Sequence, residues 1–469
     1  MIFFSFFFLA AALFTPDDSI ISQTDHKIMV DTEPLLYKAT VQYFPVLNED
    51  GQPLAKIYCT SYCKRGKFDR SERPITFCFD GGPGGSSAFL QLGGFGPKRC
   101  LTQEEGQNLT APYRWVENFD TLLKESDLVF VDPVGTGWSR AEETGDELLF
   151  YDSLSDISSI RDLIFDYLTK EGRWKSPKYL AGFSYGTFRV CGLCSSLLSY
   201  GVSLNGIILL SCAVDFDTFE FGFNNHLPYS LYLPCYAATA WHHRKLPPEM
   251  TFQEAIEGAT AFFTKTFGPA LFLQRKVPVS LYENLAFWTG LPLDLIRRYD
   301  GMIDVDTFIR NCCASEKKVI GRYDSRLTGD LLHPLFKKSF IDPGAQTAGI
   351  FCASFYAYLK EELGCMIDWP RYETSSFEAL QKWRYHTSST LRDLQYTLIA
   401  NPEMKIFIGS GYFDLRTPFT STEYTFKNLH VPQEENLILR TYEGGHDFIS
   451  NPKVMKLLKE DLVPFFGKK

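Results

Sequence analysis

The chain has 469 residues, 45% of them hydrophobic, and a formal net charge of −9, so it can bury a large core and carries no basic stripe of the kind a nucleic-acid partner requires. Length alone suggests two or three domains, yet no internal repeat, heptad run or low-complexity linker divides the chain. The 41 Phe and 24 Tyr are expected mainly as core and pocket material.

The chain opens on an apolar block, Met1 to Phe14, followed by Thr15-Pro16-Asp17-Asp18. The block is too short to span a bilayer as an ordinary helix but suits a signal-peptide core. Residues 1–23 are therefore expected to be a leader or an apolar N-terminal segment. Export to a periplasm or to the outside is the expectation. The missing positive n-region keeps a cytoplasmic protein, with the segment packed on the domain, as the alternative. Asn108-Leu109-Thr110 is a glycosylation acceptor only in a eukaryotic secretory setting. Among the 12 cysteines, Cys59 and Cys63 are candidate partners, Cys191 and Cys194 fall in a helical stretch where packing is their natural role, and Cys312-Cys313 has no assigned role.

Ile75-Thr76-Phe77-Cys78-Phe79 reads as a buried strand, and Asp80-Gly81-Gly82-Pro83-Gly84-Gly85-Ser86-Ser87 as the loop leaving it. Glycines there let backbone N–H groups approach a ligand closely. The loop lacks the lysine of a phosphate-binding P-loop and the spacing of a dinucleotide fingerprint. Next, Lys178-Tyr179-Leu180-Ala181 leads into Gly182-Phe183-Ser184-Tyr185-Gly186, with a helix-like stretch, Thr187 to Cys194, behind it. Strand, sharp glycine-flanked turn and helix are the context of a nucleophile elbow, with Ser184 as the nucleophile. Gly82 and Tyr185 are then the expected backbone donors to a developing oxyanion.

Gly206-Ile207-Ile208-Leu209-Leu210 reads as the next parallel strand. From Asp215 to about Pro343 the strand pattern lapses, and a cap over residues 214–345 is expected, inserted into a core formed by residues 24–213 and 346–469. Helical segments near Gly349–Leu363 and Ser376–Ala400 lead back to that core. Met404 to Ile408 is a further buried strand, with Asp414 on the turn that leaves it. Asn436 to Tyr442 is another, followed by Glu443-Gly444-Gly445-His446-Asp447. A serine needs a histidine to take its proton and a carboxylate to orient that histidine; His446 and Asp414 stand at strand ends where such groups belong. Asp447 is the rival acid, but sequence neighbours rarely point at each other. His26, His226, His333, His386 and His430 lack a comparable glycine turn. His242 and His243 have no Cys, Asp or Glu at ligand spacing, so no metal and no cofactor are expected. The order Ser184, Asp414, His446 matches α/β-hydrolases, with a central, mostly parallel sheet.

Several of these motifs occur together, in order: the Gly-Gly-Pro-Gly loop, Val131-Asp132-Pro133-Val134-Gly135-Thr136-Gly137-Trp138-Ser139-Arg140, the Ser184 elbow, Gly321-Arg322-Tyr323-Asp324-Ser325-Arg326-Leu327-Thr328-Gly329, Gly411 to Pro418, and Gly445-His446. From about Phe44 to its C-terminus the chain resembles the serine carboxypeptidase (S10) family, particularly its bacterial branch. The resemblance implies an α/β-hydrolase fold with a helical cap, release of C-terminal residues from peptides, Ser184, Asp414 and His446 as triad, and Gly82 and Tyr185 as oxyanion donors. It also implies Asp80, Gly81 and Phe183 as substrate-binding positions. There the chain departs from the family pattern, which has Asn at 80 and Glu at 183 to hold the substrate carboxylate. Asp80 serves only if protonated. The family often has Cys where this chain has Gly85, which removes a bridge from that position.

Three other readings share these residues. An esterase or acyltransferase uses the same triad, and the loss of an acid at Phe183 favours it. A proline-iminopeptidase-like aminopeptidase also has a Gly-Gly-Pro-Gly loop, although Asp132–Arg140 suits the carboxypeptidases better. A non-enzymatic secreted binding protein needs a defective triad, and all three members are present.

Overall fold

A computed structural model describes residues 18–467 except 103–109, 143–145, 223, 274–276, 331–341, 346, 366 and 368–369. The Met1–Phe14 block and Asn108 lie outside the described residues. Three long antiparallel strands come first, Ile20–Val30 (β1), Glu33–Leu47 (β2) and Pro53–Lys64 (β3). β1 pairs with β2 from Ile20, opposite Gln42, through Gln23, opposite Thr40. The last residues of the expected leader are thus part of the sheet, because their alternating pattern suits an edge strand with one covered face. Cys59 and Cys63 both sit on β3, four residues apart and about 13 Å along a strand, so they cannot be bridged. All twelve thiols are free.

Short apolar runs then build the centre: Ile75–Phe79 (β4), Asp127–Val131 (β5), Lys178–Phe183 (β6) and Gly206–Leu210 (β7) are buried at every residue. Strands covered on both faces read this way. Lys405–Gly411 (β8) and Leu437–Tyr442 (β9) complete the order β1-β2-β3-β5-β4-β6-β7-β8-β9, and the two-residue strand Arg140–Ala141 pairs with β3. From β5 onward every neighbouring pair is parallel.

Alternation along the strands divides the core into two layers. Phe77, Phe79, Leu180, Ile207 and Ile406 pack with Ser153–Lys170 (α1), Tyr185–Ser199 (α2) and Leu391–Ala400. Cys78, Ala181, Ile208 and Phe407 face the other way, against Thr347–Glu361 and Pro452–Phe466. Asp152 caps α1, its side chain accepting from the amides of Leu154 and Ser155, and leaves fewer orphan donors at that helix start.

Between β7 and β8 the chain leaves the sheet. It forms helices that include Leu233–His242 (α3) and Phe252–Phe262 (α4), and a small hairpin of Lys318–Ile320 with Thr328–Asp330. This region has its own apolar cluster, in which Tyr236, Phe267, Ile296 and Phe308 are joined by Phe413, Leu415 and Phe419 from the turn after β8. The stretch 376–400 is two helices, Phe377–Lys382 and Leu391–Ala400, rather than one. The chain between them is held open by Asp152, which accepts from His386 Nε2 at 2.6 Å and bridges Arg384.

Candidate active site

The strand β6 and helix α2 meet at Ser184 with φ 55° and ψ −126°, a conformation that strains any residue with a Cβ by about 1–3 kcal/mol. The turn is possible because its shoulders are bare. A Cβ on Gly182 would lie 2.4 Å from the Gly186 carbonyl oxygen, and one on Gly186 would lie 2.4 Å from that of Phe79. Between Lys178 and Cys194, Ser184 alone is not fully buried. The strain therefore presents one hydroxyl to the surface. Among the described residues that hydroxyl makes no hydrogen bond, which is the condition of many catalytic serines before substrate tightens the contacts.

Asp414 and His446 come together from the turns after β8 and β9. His446 Nδ1 donates to Asp414 Oδ2 at 2.8 Å, and both side chains are buried. The other carboxylate oxygen accepts from the amides of Arg416 at 2.7 Å and Thr417 at 2.9 Å, while the Thr417 hydroxyl donates to Oδ2 at 2.7 Å. With every lone pair engaged, the acid is fixed in orientation and Nδ1 carries the imidazole proton. Nε2 is left as an acceptor. Phe183 packs on the imidazole with ring centres 5.0 Å apart, and Tyr323 lies at 5.5 Å. Asp447 makes no hydrogen bond to the ring among the described residues; burial, reinforced by Asp324, Asp414 and Asp342, holds its carboxyl up at about 6, against the pull of His446.

Gly82, Ser184 and Tyr185 line one narrow cleft of about 30 Å³. Among the described residues, neither the Gly82 nor the Tyr185 backbone N–H donates a hydrogen bond. Gly82 has φ 114°, and a Cβ on Gly81 would stand 2.6 Å from that of Ser184, so only glycines bring this loop so near the elbow. The Gly81 position is therefore one of close backbone approach.

Asp80, expected at a substrate-binding position, has its carboxylate engaged by the backbone that follows the glycine loop. Its Oδ2 accepts from the Phe89 amide at 2.8 Å and its Oδ1 from the Leu90 amide at 2.9 Å. Its carboxylate thus satisfies the start of the helical turn Ala88–Leu90 and does not line the Ser184 cleft. Burial pushes this carboxyl well above the usual range, against the pull of the two amides. Its backbone oxygen accepts from Arg189, itself paired with buried Asp156 at 2.7 Å. Asp80 is a brace for the glycine loop, and a short acid can serve there where an Asn would offer only one acceptor.

The two remaining motifs are also braces. Asp132 accepts from the amide and hydroxyl of Ser87, and a Cβ at Gly137 would fall 2.0 Å from its carboxylate. Tyr323 takes the His446 amide on its carbonyl, which fixes the His446 loop. Residues that sequence reasoning did not single out complete the cleft: Ala213, Phe216, Phe219, Glu220, Tyr385, Arg416 and Thr417. Thr417, three residues after Asp414, carried a readable signal, since a hydroxyl there can return to the carboxylate. The aromatic members come from separate segments and carried none. A second groove, which includes Asp152 and His386, shares no residue with this cleft.

Residues 56–246 match the family model described as serine carboxypeptidase; the match takes in Gly82, Ser184 and Tyr185 and ends before Asp414 and His446. No curated protein matches the chain. Among solved structures, the chain is similar to Kex1(delta)p, a prohormone-processing carboxypeptidase from Saccharomyces cerevisiae, at 14% identity and a TM-score of 0.58, over 92% of this chain and 91% of that one. It also aligns with a thermostable carboxyl esterase from Bacillus coagulans at 10% identity and a TM-score of 0.38, over 91% of this chain and 97% of that one. At 14% identity the likeness to Kex1(delta)p is one of fold, and the mainly parallel sheet with helices on both faces is an α/β-hydrolase fold.

Proposed function

We infer, from the match of residues 56–246 to the serine carboxypeptidase family model, that this chain is a serine hydrolase of that kind and releases C-terminal residues from peptides through an acyl-enzyme. Ser184 attacks the scissile carbonyl, His446 Nε2 takes its proton, and Asp414 holds the imidazole in the required tautomer and stabilises the imidazolium that forms. The Gly82 and Tyr185 amides receive the oxyanion. His446 then gives its proton to the departing amine, and water releases the acyl group by the same steps. The observation that carries this reading is the buried 2.8 Å Asp414–His446 hydrogen bond, with the imidazole packed on Phe183, the residue just before a Ser184 forced to positive φ.

A second reading, an esterase, is supported by the commitment of Asp80 to the Phe89 and Leu90 amides and by the apolar ring at Phe183. Neither side chain offers a donor to a terminal carboxylate. Residues 214–345 serve as the cap over the acyl side of the cleft, supported by Phe216, Phe219 and Glu220 in its lining. Export of the protein rests on the Met1–Phe14 block; no helix among the described residues is long and apolar enough to cross a membrane.

The test is a fluorophosphonate label on the intact chain and on Ser184→Ala, followed by matched peptides with free and amidated C-termini and the corresponding esters. Labelling that needs Ser184, with faster release from free-carboxylate peptides, supports the carboxypeptidase. Cleavage of esters alone supports the esterase, and labelling that survives Ser184→Ala removes the nucleophile assignment.

A further inference from the structure

Among the described residues, one cation lines the Ser184 cleft. Arg416 lies in its wall, two residues beyond Asp414, on a turn fixed by the hydrogen bond from its own amide to Asp414 Oδ1. Its side chain is half-buried, yet among the described residues the guanidinium meets no hydrogen-bond acceptor and no carboxylate at ion-pair distance. Its charge bears on the hydroxyls of Tyr232 and Tyr385, whose pKa values it pulls down against the upward push of burial. A partly desolvated guanidinium with five donors and no acceptor is an unusual thing to leave beside a nucleophile. Elsewhere in this chain buried arginines are paired, as Arg189 is with Asp156 and Arg173 with Asp127.

The side of the nucleophile on which Arg416 stands follows from the chemistry. His446 must hand its proton to the leaving amine, so the departing residue lies on the imidazole's flank, where Phe183 and Tyr323 are the walls. The cleft that contains Arg416 is lined by Gly82 and Tyr185 and by the rings of Phe216, Phe219 and Tyr385, with His446 set behind Thr417 and not in the lining. It is the acyl side, which receives the residue that stays on Ser184. Resting on the hydrolase reading above, we propose that Arg416 selects an acyl group bearing a negative charge, a penultimate Asp or Glu whose carboxylate pairs with the guanidinium.

Glu220 lines the same cleft and acts in the opposite direction. It is exposed, so water screens it, whereas Arg416 is half-buried and its field is screened less. A carboxylate seated against Arg416 would form charge-assisted hydrogen bonds in the geometry that guanidinium favours. The aromatic rings around it exclude the water that would otherwise compete.

The experiment compares kcat/KM on N-blocked substrates that differ only at the penultimate residue, Glu, Gln, Lys or Leu, each as the free peptide and as the ester. Wild type should prefer Glu over Gln by about tenfold. Arg416→Gln should bring that ratio near one, and Arg416→Glu should move the preference to Lys. Glu220→Gln should widen the Glu preference. Fluorophosphonate labelling of each variant shows that the nucleophile and fold are retained. A wild-type Glu:Gln ratio near one, or a ratio unchanged in Arg416→Gln, overturns the proposal while leaving the hydrolase reading in place. If Arg416→Gln slows every free peptide and no ester, Arg416 holds the terminal carboxylate instead, and the acyl-side assignment falls. Ester turnover without peptide turnover removes the carboxypeptidase, yet the Glu:Gln comparison is then read on the esters. Turnover of neither class counts against both.

Discussion

Asp414 and Asp447 flank the same histidine, and the geometry separates them. Asp414 accepts the His446 Nδ1 proton, and Asp447 does not. Asp414→Asn should therefore lower kcat by about 10⁴ through the wrong tautomer, with the fold intact by circular dichroism, while Asp447→Asn should cost far less. The reverse ranking in steady-state kinetics would transfer the role. Asp447 should show itself in a pH profile instead. Its carboxyl is held up at about 6 in the folded chain, above the ordinary value of about 4. A raised acid stabilises the fold fully below about pH 4, and that contribution is lost as pH rises through about 6. The melting temperature of wild type relative to Asp447→Asn should accordingly fall between pH 4 and pH 7. A difference that grows over this interval would show the group ionised throughout.

The strands of the central sheet were legible because each is a short apolar run ended by glycine or a polar turn, and the catalytic candidates were legible because they sit where those runs end. β4 and β7 begin and stop where their sequences say. β1, β2 and β3 were not read, since their alternating polar residues carry no chemistry and their pairing partners are distant in the chain. The break at Trp383–Thr390 was hidden for a different reason: Asp152, far away in sequence, holds it. The role of Asp80 was likewise invisible, because a side chain's direction is set by the helical turn it caps. Asp80→Ala would leave the buried Leu90 amide and the partly buried Phe89 amide without an acceptor and should destabilise the fold by about 2 kcal/mol. Denaturant titration measures this. If stability is unchanged and only KM for free-carboxylate peptides rises, Asp80 belongs to substrate recognition after all.

On the scale of the whole molecule, the N-terminal edge sets a limit on processing. β1 starts at Ile20 and its first pairs are with β2. A leader peptidase that cut after Gln23 would remove the first paired residues of the sheet. Mature protein from the native host should therefore begin before Ile20, and N-terminal sequencing reads the position. An N-terminus beyond Gln23 on stable protein would show that this end of β1 is dispensable.

Phe413 and Leu415, on either side of Asp414, belong to the apolar cluster of the region between β7 and β8, whereas Ser184 stands on the central sheet. The proposed orienting acid and nucleophile are thus anchored in different cores. Heating need not melt those cores together. When the inserted helices loosen first, Asp414 loses its two anchors while the elbow stays strained and exposed. Enzyme warmed to that point should stop turning over before its sheet unfolds, and should recover on cooling. Activity then serves as a thermometer for the insertion, and circular dichroism as one for the sheet.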